Sequence, residues 1–364
     1  MLGPIMQPPA PEALASLAEV VADPARVFIA HACVRGLQEG RTRQGRPFLD
    51  LTLCDASRVL AAKIWDDVPE ALEAGRAITR GQIVKVMFRA ELYQGALQLS
   101  VRRIRPAQPG EAEVGAILGE GHEPVADVLC RALVFDIETV PVGPRGALPE
   151  GVAKALDRFS GGDDDAANLA CSLSPLLGKV VSLAFADGDA RTDGEAGPEE
   201  SAVTVLAVPP PGRSQDPKDY PAWLRPVDEP ALLRAFWVLA SQASVVVSYN
   251  GRNFDVPFLV NRSLLHGVPA RVDLLGNPYN LRPHLDLYRL LQPGRALGPA
   301  GLDVLCWALG LESPKGTLDG SQVAPTYARG DIEAIAAYNR GDVRATVGVY
   351  QRVRDTILRY RQDW

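Results

Sequence analysis

The residues in this chain best placed to do chemistry are two carboxylates in an apolar run, Leu133-Val134-Phe135-Asp136-Ile137-Glu138-Thr139-Val140. Side chains alternate faces along a strand, so Asp136 and Glu138 leave one face while Phe135 and Ile137 leave the other. Like charges side by side repel by roughly 1 to 4 kcal/mol at about 4 Å, depending on local dielectric. A hard divalent cation such as Mg²⁺ or Mn²⁺, which prefers oxygen ligands, offsets that repulsion. Alone, Asp-x-Glu at a strand end also fits a solvated rim, so the pair calls for further acids.

Two downstream stretches supply them. In Val245-Val246-Val247-Ser248-Tyr249-Asn250-Gly251-Arg252-Asn253-Phe254-Asp255, a β-branched run reads as a buried strand, Asn250-Gly251 breaks it, and Asp255 opens an apolar helical pattern. Later, Tyr338 and Asp342 stand four residues apart, a spacing that puts a phenol and a carboxylate on one helix face. Each also has a plain reading: Asp255 as a helix cap, and Tyr338 with Asp342 as amphipathic surface.

In order and spacing, these three stretches resemble the motifs of the DEDD 3′-to-5′ exonucleases, and Tyr338 places the resemblance in the tyrosine-bearing (DEDDy) subclass. The likeness is to predicted exonucleases related to the proofreading exonuclease domain of family B DNA polymerases. It extends to Pro257-Phe258-Leu259, His284-Leu285-Asp286-Leu287 and Lys315 through Asp319-Gly320-Ser321-Gln322-Val323, and spans roughly residues 131 to 355. It implies an α/β ribonuclease H-like fold, a mixed sheet flanked by helices. It further implies two Mg²⁺ or Mn²⁺ ions held by Asp136, Glu138, Asp255 and Asp342, with Asp136 bridging. Tyr338 would orient the attacking water or help take its proton, and Asn250 and Phe254 would line the terminal nucleotide pocket. His284 and Asp286 are expected to support neighbours rather than bind metal. Lys315 could touch a phosphate, a surface lysine being the plainer reading.

At 364 residues the chain has room for two or three domains. The five cysteines (Cys33, Cys54, Cys130, Cys171, Cys306) form no C-x-x-C pair, which argues for free thiols in a reducing compartment and against a zinc site. The N-terminus lacks the basic-then-apolar pattern of a signal peptide, and no stretch reaches about 18 apolar residues, so the expected location is cytoplasmic and off the membrane. The net charge of −6 is uneven: residues 25–106 hold 14 Lys plus Arg against 8 Asp plus Glu, which leaves this section at +6 and the remainder at −12. One module can therefore attract phosphate while the other concentrates carboxylates.

Four sections follow: an N-terminal arm (1–24), expected to be mobile, with a short helical pattern through Leu14, Leu17 and Val20; a strand-rich section (25–106); a linker (107–131) with a short helix near Val125–Leu129; and the exonuclease-like section (132–364). In the second, strands are expected at Val27–Arg35, Pro47–Leu53, Val59–Trp65, Ile83–Ala90 and Ala96–Arg103, with a helix at Asp67–Ala74 after the third. This is the order of an all-β OB-fold barrel. The wording Gly45-x-Pro47-Phe48-Leu49, Ala62-Lys63-Ile64-Trp65 and Tyr93-x-Gly95-x-Leu97 also resembles OB modules of anticodon-binding domains and some bacterial exoribonucleases. OB-folds hold single strands with a basic groove and stacking aromatics. Arg41, Arg43 and Arg46 are the phosphate candidates, and Phe48, Trp65 and Tyr93 the stacking candidates, although Phe48 and Trp65 also suit a barrel core. Arg102, Arg103 and Arg105 either extend the groove or are solvated.

In the last section, strands are also expected at Val180–Ala186, Val203–Val208 and Val245–Tyr249, with helices at Pro230–Ser241 and from Asp331 toward Tyr360. Residues 141–178 and 188–228 read as insertions, and Asp163-Asp164-Asp165 as a solvated acidic loop. The expectation is a 3′-to-5′ exonuclease releasing 5′ mononucleotides from single-stranded nucleic acid, DNA favoured over RNA. The alternatives are an inactive single-strand-binding protein, or a proofreading subunit that partners a polymerase or repair factor.

Overall fold

A computed structural model describes residues 10–190, 203–292, 300–313, 318–362 and 364, so Lys315 and the first nine residues of the arm lie outside the described residues. The chain divides into two compact units, residues 1–122 and 123–364.

The first unit is a closed barrel. Its elements are β1 (Glu12–Ala13), β2 (Asp23–Arg41), β3 (Pro47–Cys54), β4 (Val59–Trp65), α1 (Pro69–Arg76), β5 (Ile83–Tyr93), β6 (Ala96–Pro106) and α2 (Val114–Leu118). From β2 round the barrel the order is β2-β3-β4-β6-β5, and β5 pairs back with β2 to close it. The β4–β6 pairing is parallel and the β2–β3, β3–β4, β5–β6 and β2–β5 pairings are antiparallel, which with α1 after the third long strand is the OB-fold. Strict alternation drives it: Leu49, Leu51 and Leu53 point inward with Ile64, Val84, Val86 and Phe88, while Asp50 stays outside. Such burial contributes about 1.5–3 kcal/mol for each large side chain.

Two expectations change here. Arm residues Leu17 and Val20 are buried in the barrel core, and the anticipated helix is one 3-10 turn, Leu17–Glu19, so residues 10–24 are not a free arm. The proposed linker is divided. Residues 107–122 belong to the barrel unit, where Ile117 of α2 packs on Cys33 and Cys54, while the expected Val125–Leu129 helix is a 3-10 turn at Glu123–Val125 in the second unit.

The second unit contains β7 (Ala132–Pro141), α3 (Glu150–Ser160), α4 (Asp164–Leu173), β8 (Gly178–Asp187), β9 (Thr204–Ala207), β10 (Leu224–Pro226), α5 (Glu229–Gln242), β11 (Val245–Ser248), α6 (Asp255–His266), β12 (His284–Asp286), α7 (Leu287–Leu291), α8 (Leu302–Leu309), α9 (Val323–Ala328) and α10 (Ile332–Thr356). The sheet order is β10-β9-β8-β7-β11-β12. The β7–β8 and β8–β9 pairings are antiparallel, whereas β11 and β12 run parallel to their neighbours and to β7. That mixed sheet with helices on both faces is the ribonuclease H-like architecture. Phe135, on one face of β7, packs against Phe236 of α5 with ring centroids 4.9 Å apart, and α10 crosses β7 and β8.

One reading within the insertions is corrected. Residues 141–178 hold two helices, and Asp163-Asp164-Asp165 is the start of α4 rather than a loop. Asp163 caps it by accepting from the Ala166 amide at 2.9 Å, and Asp164 and Asp165 sit in its first turn, where the helix dipole favours acids. The described part of 188–228 adds β9 and β10 to the sheet edge.

Candidate active site

Asp136 and Glu138 stand on β7, the strand at the centre of the sheet, opposite Ala184 and Ser182 of β8. Asp342 comes from α10, whose N-cap Asp331 accepts from the Ala334 amide at 3.1 Å. One ligand oxygen from each of Asp136, Glu138 and Asp342 lies within 4.8 Å of the other two, a spacing that suits a metal ion. Tyr338, one turn earlier on α10, donates its hydroxyl to Asp342, as the four-residue spacing anticipates.

The fourth acid arrives through a tight turn. After β11 the chain passes through Asn250 at φ 64°, a left-handed conformation that asparagine tolerates. At Gly251 a Cβ atom would fall 2.4 Å from Ser248 Oγ, so only glycine lets the turn pass. Asp255 then occupies the first turn of α6 instead of capping it; Phe254 is the cap residue. Its Oδ1 accepts from the Ile137 amide at 3.2 Å, which fixes it to the backbone between the two β7 acids.

Asp286 and His284 hold this turn from behind, as anticipated. Asp286 accepts from the Asn250 amide at 3.0 Å and the Arg252 amide at 3.1 Å. His284 is fully buried between Ser248 Oγ (2.8 Å) and the Leu274 carbonyl (3.2 Å), and burial pushes its pKa down to about 3. Neutral His284 therefore donates from Nδ1 to Leu274 and accepts the Ser248 hydroxyl at Nε2.

Burial raises the pKa of all four acids, and nearby carboxylates push them further. Asp136 is held well above the carboxylate range, first by burial and then by Asp255, Asp342 and Glu138; Glu138 is raised by burial, Asp342 and Asp255. Burial raises Asp255 to about 7 and Asp342 to about 6. Tyr338 is also pushed up by burial and by the acids around it. The side chains that shift these acids are one another, Asn339, Tyr338, Asp286 and Asp303, all neutral or acidic. An oxygen-rich donor set with this surplus of negative charge fits hard divalent cations.

Sequence reasoning misses Asn339. Its Nδ2 donates to Asp136 Oδ2 at 2.6 Å while its Oδ1 accepts from Ser182 Oγ at 2.9 Å, so β8 and α10 jointly aim the Asp136 carboxylate. The available signal is its place beside Tyr338 in Tyr338-Asn339-Arg340-Gly341-Asp342, a buried amide next to a candidate site residue.

A cavity of about 1020 Å³ opens over the acids, with Asn250, Phe254 and Tyr338 in its lining together with residues of α4 and α9. The predicted pocket residues thus converge on one space. A second cavity of this unit, about 570 Å³ beside Arg131, Arg282 and Arg354, contains none of the four acids.

In the barrel unit, Phe48 and Trp65 are half-buried on the outer face of β3 and β4, with ring centroids 5.4 Å apart, so the barrel-core reading is set aside. Lys63, which the sequence reading leaves out of the interface, lies 4.6 Å from the Phe48 centroid and 5.5 Å from that of Trp65. Arg41, Arg43 and Arg46 are exposed around the β2–β3 turn, where Arg41 bonds the Gly45 carbonyl and Arg46 sits 3.7 Å from Asp66. Tyr93 is exposed at the β5–β6 hairpin. Arg103 is exposed, Arg102 pairs with Asp67 at 3.0 Å, and the fork of Arg105 is taken by Glu111 at 2.7 and 2.8 Å, which argues against a phosphate role for Arg105.

Residues 224–359 match a family described as predicted 3′-to-5′ exonuclease related to the exonuclease domain of PolB. Over these residues the second unit is similar to the exonuclease domain of family B polymerases. The match contains Asp255, Tyr338 and Asp342, and the fold adds Asp136 and Glu138 beside them. Among curated proteins, the chain is 40% identical over 76 residues to a 3′-5′ exoribonuclease YhaM of Listeria innocua, covering 21% of this chain and 23% of that protein. It is 34% identical over 103 residues to the YhaM exoribonuclease of Oceanobacillus iheyensis, covering 27% and 31%. The matches thus span less than a third of these relatives. A family B DNA polymerase of Pyrobaculum calidifontis aligns over 89% of this chain and 46% of its own at 15% identity, with a TM-score of 0.43. Among the described residues, no helix is long and apolar enough to cross a membrane.

Proposed function

We propose that this protein is a metal-dependent exonuclease that removes 5′ mononucleotides one at a time from the 3′ end of a single strand. The observation that carries this reading is the convergence of Asp136, Glu138 and Asp342 within 4.8 Å, with Tyr338 and Asp255 lining the same cavity. Asp136, Glu138, Asp255 and Asp342 would hold two Mg²⁺ or Mn²⁺ ions. When bound, such a pair supplies a water of lowered pKa and stabilises charge on the departing oxygen. Asn339 keeps the Asp136 carboxylate turned toward the cavity, and the Ile137 amide fixes Asp255. Tyr338 orients the attacking water through its hydroxyl. Asn250 and Phe254 line the space for the terminal nucleotide.

The OB-fold unit retains the strand: Arg41, Arg43 and Arg46 meet phosphates, while Phe48, Trp65 and Tyr93 offer faces for bases. Lys63, stacked against both Phe48 and Trp65, adds charge at that face. Two relatives are named exoribonucleases, which supports RNA beside DNA as substrate. The free thiols suit a cytoplasmic setting.

The decisive assay incubates 3′-labelled single-stranded DNA and RNA of matched sequence with Mg²⁺ or Mn²⁺, comparing wild type with Asp136→Ala. Release of labelled mononucleotide by wild type alone supports the reading. Equally low release by wild type and Asp136→Ala on both substrates would leave a single-strand-binding protein in its place, and co-purification with a polymerase would favour a proofreading subunit.

A further inference from the structure

The outer face of the barrel unit carries two sulfur atoms that the nuclease reading does not use. Side chains alternate along β2 and β3, so Val34 and Leu53 enter the barrel core while Cys33 and Cys54 leave the other face. The two cysteines are register partners across the antiparallel β2–β3 pairing. Opposed residues in such a pairing stand about 4.5 or 5.5 Å apart at Cα, and both spacings fall within the roughly 4.4–6.8 Å that a disulfide spans. The strands are thus already spaced for a bond between them.

Both thiols are free and buried, and they touch. Cys54 donates to Cys33, and Cys33 donates in turn to the Gly81 carbonyl at 3.6 Å. The pair is unequal. The hydrogen bond from Cys54 draws the Cys33 pKa down against burial, with help from the Arg80 guanidinium, whereas the same contact and burial hold Cys54 well up. Cys33 is therefore the sulfur that ionises first. The bulge between Val34 and Gly36 brings a second guanidinium, that of Arg35, to Cys54. Ile117 of α2 roofs the two sulfurs, and Glu111, paired with Lys85 and Arg105, anchors the segment that carries this roof. Such a cover excludes bulky reagents and favours a small oxidant.

We propose that Cys33 and Cys54 are a redox site, a dithiol that hydrogen peroxide converts to a reversible cross-strand disulfide. The Cys33 thiolate attacks one peroxide oxygen, the O–O bond breaks, and the departing hydroxide takes up the proton that Cys33 released, giving water. The sulfenic acid left on Cys33 is then attacked by the Cys54 sulfur. As the Sγ–Sγ bond forms, hydroxide leaves Cys33 and takes the Cys54 proton as a second water. Two thiols thus give two electrons to the peroxide, and a thiol reductant returns them. The bond clasps β2 to β3 at the end of the hairpin opposite the turn that carries Arg41, Arg43 and Arg46.

The test adds hydrogen peroxide to folded full-length protein in EDTA, blocks the remaining thiols with iodoacetamide and maps the peptides by mass. Wild type should lose two of its five free thiols as a linked Cys33–Cys54 peptide and regain them in dithiothreitol. This pair should oxidise roughly tenfold or more faster than Cys130, Cys171 and Cys306, which are buried as well. Cys54→Ser should leave a sulfenic acid on Cys33 that dimedone traps, while Cys33→Ser should leave Cys54 largely unlabelled. Equal labelling of the two variants would overturn Cys33 as the attacking sulfur. Circular dichroism melts check folding, and the wild-type map decides alone should a variant fail to fold. A map in which Cys33 and Cys54 stay reduced, oxidise no faster than the other three, or link to other cysteines would overturn the redox site, whatever the nuclease assay shows.

Discussion

Replacing Asp342 with Asn separates what the acids do for catalysis from what they cost the fold. Burial raises the Asp342 carboxyl from its ordinary value near 3.9 to about 6, a difference of roughly 3 kcal/mol against the ionised form. Because the folded pKa is the higher one, folded protein binds more protons than unfolded between about pH 4 and 6. The penalty is therefore full above pH 6 and fades as pH falls toward 4. Asparagine keeps the shape and an acceptor for the Tyr338 hydroxyl but removes the charge. In EDTA at pH 7.5 it should recover part of the cost, on the order of 1–2 kcal/mol, which raises Tm by roughly 2–8 °C at 2–4 °C per kcal/mol. At pH 4 the difference should vanish. Adding Mn²⁺ should stabilise wild type, by about 2.7 kcal/mol at a hundredfold excess over Kd, and shift the Asn protein far less. Differential scanning calorimetry in both buffers reads these changes, and a parallel assay should show no nucleotide release by Asp342→Asn. An Asn protein that melts below wild type in EDTA would refute the reasoning, since the carboxylate would then be stabilising the fold.

Further outcomes follow from other contacts. Tyr338→Phe should slow single-turnover hydrolysis by about 10- to 100-fold while the Mn²⁺-induced Tm shift persists; an unchanged rate removes the water-orienting role. Gly251→Ala places a methyl group 2.4 Å from Ser248 Oγ and 3.4 Å from Asp255 Oδ2, and should cost at least about 1–3 kcal/mol and nearly all activity, seen as a lower Tm and a lost turnover. Replacing Arg41, Arg43 and Arg46 together with Ala should flatten the salt dependence of single-strand binding by about 0.7 in log–log slope per lost phosphate contact. Fluorescence anisotropy at several salt concentrations measures it, and a wild-type slope would exclude the β2–β3 turn from the interface.

What the sequence reveals depends on how local the responsible pattern is. Asp136 and Glu138 are legible because strand alternation puts them on one face, and Tyr338 with Asp342 because one helical turn does. The OB barrel is legible from strand spacing and turn residues, and Val59–Trp65 is observed with the bounds expected. Asn339 is not legible, because its meaning comes from Ser182, which β8 delivers from far away in the chain. The helix α4 hides behind three consecutive acids: a charge run suggests solvent, yet Asp163 is a cap and the next two acids complement the helix dipole. Phe48 and Trp65 are ambiguous in sequence because each sits at the end of its strand next to core residues, and the observed alternation, with Leu49 and Ile64 inward, is what puts them on the outer face.

In the proposed reaction, the position of Asp342 on α10 also bears on when hydrolysis can begin. A nascent chain lacking this helix holds Asp136, Glu138 and Asp255 but not the full proposed ligand set. Hydrolysis would then wait until the helix docks across β7 and β8.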